Sequence, residues 1–346
     1  MLKICTLENR EEWDNIVSSF ANYDVYYLSG YIVAFKLHGD GEPLLLYYES
    51  EGLKGINVVM KRDIADIPEL KDELPKGTLF DFSTPYGYGG WLIEGEMEKS
   101  DLLFKEYQEW CAENHIVCEF VRYHPLLENY NYANSAYDII MLGNTITLDI
   151  SSPEVIWQNI TSKNRNVIRK AEKSGVEIKM GNSPEIYEKF IEIYNKTMEH
   201  DNADGYYFFG EDFYESIRND LPQNSLVFYA EKDGEIIAAS IMIYEDGKLN
   251  YHLSGSLFEY RTFAPSNLLL YKAALWGSDN GFTTFHLGGG VGSKEDSLFK
   301  FKKSFYRQDD LTRFAIGKKV FLQEEYDRLV KIKGNIDSNF FPKYRA

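Results

Sequence analysis

The sequence predicts a mixed α/β protein made of two tandem copies of one fold, each a twisted mixed sheet flanked by helices. Three observations carry that expectation. The chain has 346 residues, more than one hydrophobic core usually organises. Two stretches, "LLLYYESEGLKGINVVM" (residues 44 to 60) and "LVFYAEKDGEIIAASIMI" (residues 226 to 243), each read as an apolar strand, a polar turn closing on Gly52 or Gly234, and a second apolar strand. Downstream of each lies a second echo, "LLFKEYQEWCAENHIVCEF" (residues 102 to 120) and "LLYKAALWGSDNGFTTFHL" (residues 269 to 287). Both begin with apolar residues and a lysine, continue as a helical pattern, pass an asparagine and end in a strand. Two echoes in the same order indicate a duplication.

Each copy then reads as helix, hairpin, further strand, helix and strand, an order that suits a sheet covered by helices. The first copy is longer in its middle, where "KRDIADIPELKDELPKGTLFDFSTP" (residues 61 to 85) holds the surplus. The copies are expected to meet near residue 148, giving domains 1–147 and 148–346, packed closely with a cleft between or across them. There "TITLDI" alternates as a strand. Ser152 caps a helix that opens on Pro153, with Glu154 at its positive end. The next segment, "ITSKNRNVIRKAEKSGVEI", is the most basic of the chain. Ser162 starts its helix and Gly175 stops it, and Arg165 and Arg169, four apart, share a face. A solvated helix face is the plain reading of that charge. "SPEIYEKFIEIYNKTMEH" carries an apolar stripe through Ile186, Phe190, Ile193 and Tyr194 and belongs to the core.

Composition narrows the function classes. The net charge of −17 repels bulk nucleic acid, so DNA is not an expected partner and any anionic ligand needs a locally basic pocket. The three cysteines, Cys5, Cys111 and Cys118, form no CxxC pair, and the six histidines no HExxH. Neither a disulfide framework nor a metal site is expected. "MLKICTLENREEW" lacks the apolar region of a signal peptide, and no run approaches the ~20 residues of a membrane span. The expected location is the cytoplasm. Tyrosine is abundant, which suits the walls of a cleft for a polar ligand as well as ordinary core packing.

"LGGGVGSKEDSLFKFKKSF" (residues 287 to 305) poses the functional question, because an acidic chain gathers Lys294, Lys300, Lys302 and Lys303 behind a glycine loop. An anion site and an amphipathic helix after a turn both fit the residues alone. The wider pattern resembles the Fem-type branch of the GNAT acyltransferases, the peptidoglycan-bridge aminoacyltransferases and their relatives. The segments that carry the likeness are "KNRNVIRKAEKSG", "YRTFAPSNLLLYKAALWGSDNGFTTFHLGGG" and "FKFKKSF" in the second half, and "YYLSGYIVAFK" and "TPYGYGGWL" in the first. The likeness spans nearly the whole chain and implies two tandem GNAT-like domains.

The resemblance also implies roles. Lys302, in Phe301-Lys302-Lys303-Ser304-Phe305, stands where the family places a lysine near the reacting acyl group. There it would stabilise the carbonyl oxygen of the transition state, hold a donor phosphate, or only cover aromatic side chains. Lys36 matches a lysine that contacts the diphosphate of a nucleotide-linked acceptor, and Tyr86 and Tyr88 lie in the loop that lines the acceptor groove. The family often has a charged residue where one of these tyrosines stands, which leaves the acceptor open. Arg261 begins the stretch equivalent to the acetyl-CoA diphosphate turn, [RQ]-x-x-G-x-[GA], but here both glycines are missing and Pro265 removes one amide. No permanently bound cofactor is implied. The donor is aminoacyl-tRNA, its acceptor end met by Arg165 and Arg169, or an acyl-CoA. No obvious general base emerges: His252 and His286 sit on apparent strands where structural roles are commoner, Asp81 is a candidate carboxylate near the acceptor amine, and the resemblance allows the substrate itself to serve in proton transfer. The expected function is an N-acyltransferase that moves an aminoacyl or acyl group onto an amine of a small-molecule or nucleotide-linked cell-envelope precursor. The alternatives are an acyl-CoA-dependent N-acetyltransferase acting on a sugar or small amine, and a non-catalytic ligand-binding relative.

Overall fold

The computed structural model describes residues 1–50, 52–334 and 338–346. The chain divides into two compact units, residues 1–142 with 314–346, and residues 143–313. The first half contributes β1 (Leu2–Cys5), α1 (Arg10–Ser18), α2 (Ser29–His38), β2 (Glu42–Ser50), β3 (Leu53–Asp63), β4 (Phe80–Ser83), β5 (Leu92–Gly95), α3 (Ser100–Glu113) and β6 (Ile116–Arg122). β7 (Asp138–Asp149) leads into α4 (Pro153–Asn159), α5 (Ser162–Lys173), β8 (Glu177–Gly181), α6 (Pro184–His200) and α7 (Glu211–Asp220). Then follow β9 (Ser225–Lys232), β10 (Glu235–Glu245), β11 (Lys248–Ser256), α8 (Pro265–Asp279), β12 (Thr284–Gly288) and α9 (Ser297–Lys303). β13 (Thr312–Val320) and α10 (Gln323–Lys333) close the list.

The two units repeat one sheet pattern. In the first, β1, β2, β3 and β4 are antiparallel in succession, β4 pairs with β6 in parallel, and β6 pairs with β13 antiparallel. β5 adds to β3. In the second, β8, β9, β10 and β11 are antiparallel, β11 pairs with β12 in parallel, and β12 pairs with β7 antiparallel. A parallel pair requires a long crossover connection. α3 supplies it in one unit and α8 in the other, so the two sequence echoes are the helix–strand pairs α3–β6 and α8–β12. The two hairpins are β2–β3 and β9–β10. The second turns on Asp233 and Gly234, both with positive φ (53° and 84°), as a two-residue turn of this handedness requires. In the first turn Gly52 has φ 83°, and residue 51 lies outside the described residues.

The expected boundary needs correction. The second unit starts at residue 143, and residues 314–346 belong to the first unit, not to a domain 148–346. The reason is the order in which the last strands are used. The sixth strand position of the first unit is filled by β13, and that of the second by β7, so each unit is completed by the strand that follows the other unit's β6 or β12 in the chain. Without β13, the amides and carbonyls of β6 would form an open edge. Ile316 to Val320 pair with Arg122 to Cys118, and Phe321 N donates to Val117 O at 2.9 Å. The core of the first unit accordingly includes Leu329 and Tyr344 beside Ile64, Leu70 and Val117. The core of the second runs through Ile146, Ile168, Phe228, Met242, Leu270 and Phe285.

Helix signals read from the sequence hold. Ser152 Oγ accepts from Val155 N, with Pro153 in the first turn of α4. α5 begins at Ser162, but its capping side chain is Thr161, which accepts from Asn164 N. Gly175 follows α5 with φ 78°. Of the expected stripe of α6, Phe190, Ile193 and Tyr194 are buried, while Tyr187 is buried in place of Ile186, which is half-buried.

Asp81 is not available as a proton acceptor. Its fully buried carboxylate accepts from Arg62 Nε at 2.7 Å, Arg345 Nε at 2.6 Å and the Tyr344 hydroxyl at 3.0 Å. Tyr344 also contacts Cys118 Sγ at 3.1 Å. This network ties the returning segment to β3, β4 and β6. Arg345→Ala strips one of two cations from a buried carboxylate and should destabilise by about 3 kcal/mol. Tyr344→Phe removes one hydrogen bond and should cost about 1 kcal/mol. Urea denaturation of the two variants checks the order of the effects.

Candidate active site

Of the lysines behind the glycine loop, one turns inward. Asp296 caps α9, accepting from Phe299 N at 2.8 Å, and its other oxygen accepts from Val291 N at 3.1 Å. The loop after β12 folds tightly against this cap. A Cβ on Gly290 would lie 2.1 Å from Lys294 O, so the position admits no side chain without a shift. Lys294 and Lys300 are exposed. Lys303 donates to Tyr306 O at 3.0 Å and pairs with Asp309 at 3.4 Å. Lys302, three residues after buried Phe299, shares its inward face and is only 8% exposed.

Lys302 Nζ donates to Gly289 O at 2.7 Å and lies 5.8 Å from the Tyr251 ring. Among the described residues no carboxylate lies within ion-pair distance of it. Burial lowers its pKa to about 8, with Asp296 opposing the shift from a distance. Near neutral pH the side chain is therefore mostly an ammonium, with N–H bonds to spare in a water-poor environment. Such a group attracts an anion or a polarised carbonyl oxygen.

The other candidates of the second unit separate into three kinds. His252 is driven to a pKa of about 3 by burial and stays neutral. His286 Nδ1 lies 2.9 Å from Thr147 Oγ1 on the neighbouring strand, a structural contact. Arg165 and Arg169 meet over one indole, at 5.9 and 5.0 Å from the Trp157 ring, and Trp157 packs on Tyr271 at 5.1 Å. The nearby Glu172 is engaged by Lys272 at 2.9 Å. The exposed face of α5 is thus cationic with an aromatic backing. Arg261 is exposed and stacks on Phe258 at 4.0 Å. Ala264 occupies the left-handed region (φ 52°, ψ 48°) just before α8, and Pro265 opens the helix without an N–H.

The remaining candidates lie in the first unit. Lys36, on α2, is exposed and pairs with Glu42 at 2.8 Å. Phe35, its neighbour, stacks on Tyr86 at 5.7 Å, and the Tyr31 hydroxyl donates to Tyr86 O at 2.7 Å. Tyr88 packs edge-on against Tyr26, His124 and Phe314. Burial raises its pKa to about 12. Gly87 has φ 93°, and a Cβ there would lie 2.5 Å from the Tyr26 ring. The "PYGYGG" glycines are thus used for close approach. α2 and the loop 84–90 therefore form one aromatic surface, while Lys302, Arg165, Arg169 and Arg261 belong to the second unit. Sequence reading does not reach Trp157 or His124. The available cue for His124 is its place directly after an apolar strand and before Pro125.

The depressed pKa of Lys302 has a stability consequence. The folded state binds fewer protons at this site than the unfolded chain, so stability rises with pH between about 8 and the ordinary value of 10.5. The penalty for burying the charge is fully present below about pH 8. It corresponds to roughly 3 kcal/mol. Lys302→Met should therefore raise the melting temperature at pH 7 and raise it much less at pH 10.5, as thermal unfolding at the two pH values can establish.

Comparison with known proteins shows what the chain is similar to. Residues 160–303 match the acetyltransferase (GNAT) domain. The UDP-N-acetylmuramoylpentapeptide-lysine N(6)-alanyltransferase of Weissella viridescens is 27% identical over 174 residues, 49% of this chain and 50% of that protein. The chain thus spans about half the length of this curated relative. Among solved structures, that of FemX superposes with a TM-score of 0.67 at 15% identity, covering 94% of this chain and 99% of the other. The C-terminal domain of a lysylphosphatidylglycerol synthetase from Agrobacterium fabrum gives 0.57 at 14% identity, covering 96% and 99%. A tandem GNAT protein from clavulanic acid biosynthesis gives 0.51 at 9% identity, covering 93% and 99%. Among the described residues no helix is long and apolar enough to cross a membrane. Residues 160–303 thus match a GNAT domain within a two-unit GNAT-like fold, and the chain is similar in sequence to the Weissella alanyltransferase and in fold to FemX.

Proposed function

We propose that this protein is an N-acyltransferase that moves an aminoacyl or acyl group onto an amine of a cell-envelope precursor, with a nucleotide-linked muropeptide as the favoured acceptor. The observation that carries the reading is Lys302, an inward ammonium beside the end of β12 with no carboxylate partner among the described residues. In acyl transfer the amine adds to the carbonyl carbon and the π electrons move to oxygen. The ammonium donates a hydrogen bond to that oxygen. Collapse then breaks the bond to the leaving group, which takes up the proton lost by the amine, leaving an amide. The named activity of the Weissella relative supports a lysine amine as acceptor and an alanyl group as cargo.

The donor favoured here is an aminoacyl-tRNA over an acyl-CoA. Ser266 is the first residue of α8 with an amide to offer, because Pro265 has none and Asn267 N already donates to Ala264 O. That helix start is a poor diphosphate cradle. The cationic face of α5 suits the phosphates of a tRNA acceptor end, which restricts contact to a small region of an otherwise acidic protein. Lys36 remains the candidate for the acceptor diphosphate. Its exposed pair with Glu42 is worth at most about 1 kcal/mol, so an incoming diphosphate can replace it.

The test is transfer of labelled alanine from alanyl-tRNA to UDP-N-acetylmuramoyl pentapeptide, with acetyl-CoA as competing donor. Acetyl transfer alone would replace this reading with the CoA-dependent one, and binding without turnover would leave a ligand-binding relative. Lys302→Ala should lower kcat by about 10²–10³ with KM little changed. Lys303→Ala, which loses the same charge one residue away, should keep near-normal kcat. Arg165→Ala with Arg169→Ala should raise KM for the tRNA and flatten its dependence on salt.

A further inference from the structure

Beneath the loop that carries Tyr86 and Tyr88, the first unit buries two ionisable side chains against each other. Asp24 and His124 are both fully enclosed, with His124 Nε2 2.8 Å from Asp24 Oδ2. A carboxylate can only accept, so Nε2 carries the proton and donates it. In the neutral ring Nδ1 is then a bare lone pair. It is buried and has no hydrogen-bond partner among the described residues. Buried polar atoms are almost always satisfied, and an exception at a fixed position calls for a reason.

The position is fixed with care. Asn129 Oδ1 accepts from His124 N at 2.9 Å, and Asn129 Nδ2 donates to Gly89 O at 2.8 Å. The imidazole is therefore tied to the loop through one side chain. The Tyr26 and Tyr88 rings stand edge-on to it at 5.6 and 5.5 Å. Of these two, Tyr26 is buried and only Tyr88 reaches the surface. The nearby cation, Arg122, is turned elsewhere: its Nε donates to Gly87 O at 2.9 Å and its guanidinium lies over Phe314 at 4.9 Å.

We infer that His124 is a binding residue of the acceptor site, whose Nδ1 receives an N–H of the acceptor amine once the Tyr88 ring turns aside. The environment selects an amine. Aromatic rings and a carboxylate behind the imidazole favour an electropositive N–H, and the alkyl chain of an amine packs on tyrosine. In the neutral ring Asp24 sets the tautomer by accepting from Nε2, which leaves Nδ1 as the acceptor. The inference rests on the amine-acylating function proposed above.

Nitrogen NMR on the full chain labelled with ¹⁵N-histidine tests it. His124→Gln assigns the resonance, or Asp24→Asn should the first variant fail to fold. In the ligand-free protein Nδ1 should show the shift of an unprotonated nitrogen and Nε2 that of an N–H. UDP-N-acetylmuramoyl pentapeptide should move the Nδ1 signal toward that of a hydrogen-bonded nitrogen. The same peptide with norleucine in place of lysine should bind roughly tenfold more weakly and leave the signal in place. A protonated Nδ1 in the ligand-free protein overturns the inference. Equal binding of both peptides, or binding without a change at Nδ1, overturns it too while leaving the acyltransferase reading intact. Failure of the unaltered protein to bind either peptide removes the muropeptide acceptor and the inference together.

Discussion

A single buried ammonium sets the terms for the second unit. Lys302 is held by one carbonyl, Gly289 O, which follows directly on β12. β12 is fixed on one edge by parallel pairing with β11 and on the other by antiparallel pairing with β7. The glycine loop must then pass close enough to the α9 cap for the helix to point Lys302 inward, which is why Gly290 admits no side chain. A charge buried without a counter-ion is unfavourable. The hydrogen bond to Gly289 O and the distant charge of Asp296 offset part of that penalty.

The duplicated topology puts the corresponding point of the first unit to a different use. β6 occupies the place of β12, and both are the parallel strand after a crossover helix. Open α/β sheets form sites beyond the carboxyl ends of such strands. Beyond β12 lie Gly289 and Lys302. Beyond β6 lie Tyr123 and His124, with Asp24 and the tyrosine loop packed on them. One fold thus offers a cationic centre in one copy and an aromatic surface backed by an imidazole in the other. The first suits the developing negative charge of an acyl carbonyl, and the second a nitrogen that brings N–H bonds.

Electrostatics bears on the proposed anionic donor of an acidic chain. The net charge of −17 is spread over both units, while the α5 face concentrates cations, and Glu172 of that helix is already paired with Lys272. Screening reduces the distant acids at physiological salt, so the local patch governs contact within a Debye length of about 8 Å. The same charge balance disfavours extended contact with nucleic acid and restricts any tRNA interaction to a few phosphates.

Much of this was legible in the residues. The hairpin turns, the helix caps at Ser152 and the stop at Gly175 are local preferences, and local chemistry determines them wherever the chain goes. The repeat was visible because α3–β6 and α8–β12 conserve a pattern of apolar spacing. That Lys302 differs from Lys300 and Lys303 came from a family motif; spacing alone would place all three on one short helix, and only packing decides which of them faces Gly289. The exchange of β7 and β13 between the units was not legible, because either strand satisfies the same edge and the choice depends on which neighbour each meets in space. Asp81 read as a free carboxylate because its partners Tyr344 and Arg345 lie more than two hundred and sixty residues away. His124 and Asp24 are a hundred positions apart and carry no shared motif. Side chains that are distant in sequence acquire their chemistry from burial and from each other, and those are properties of the folded chain alone.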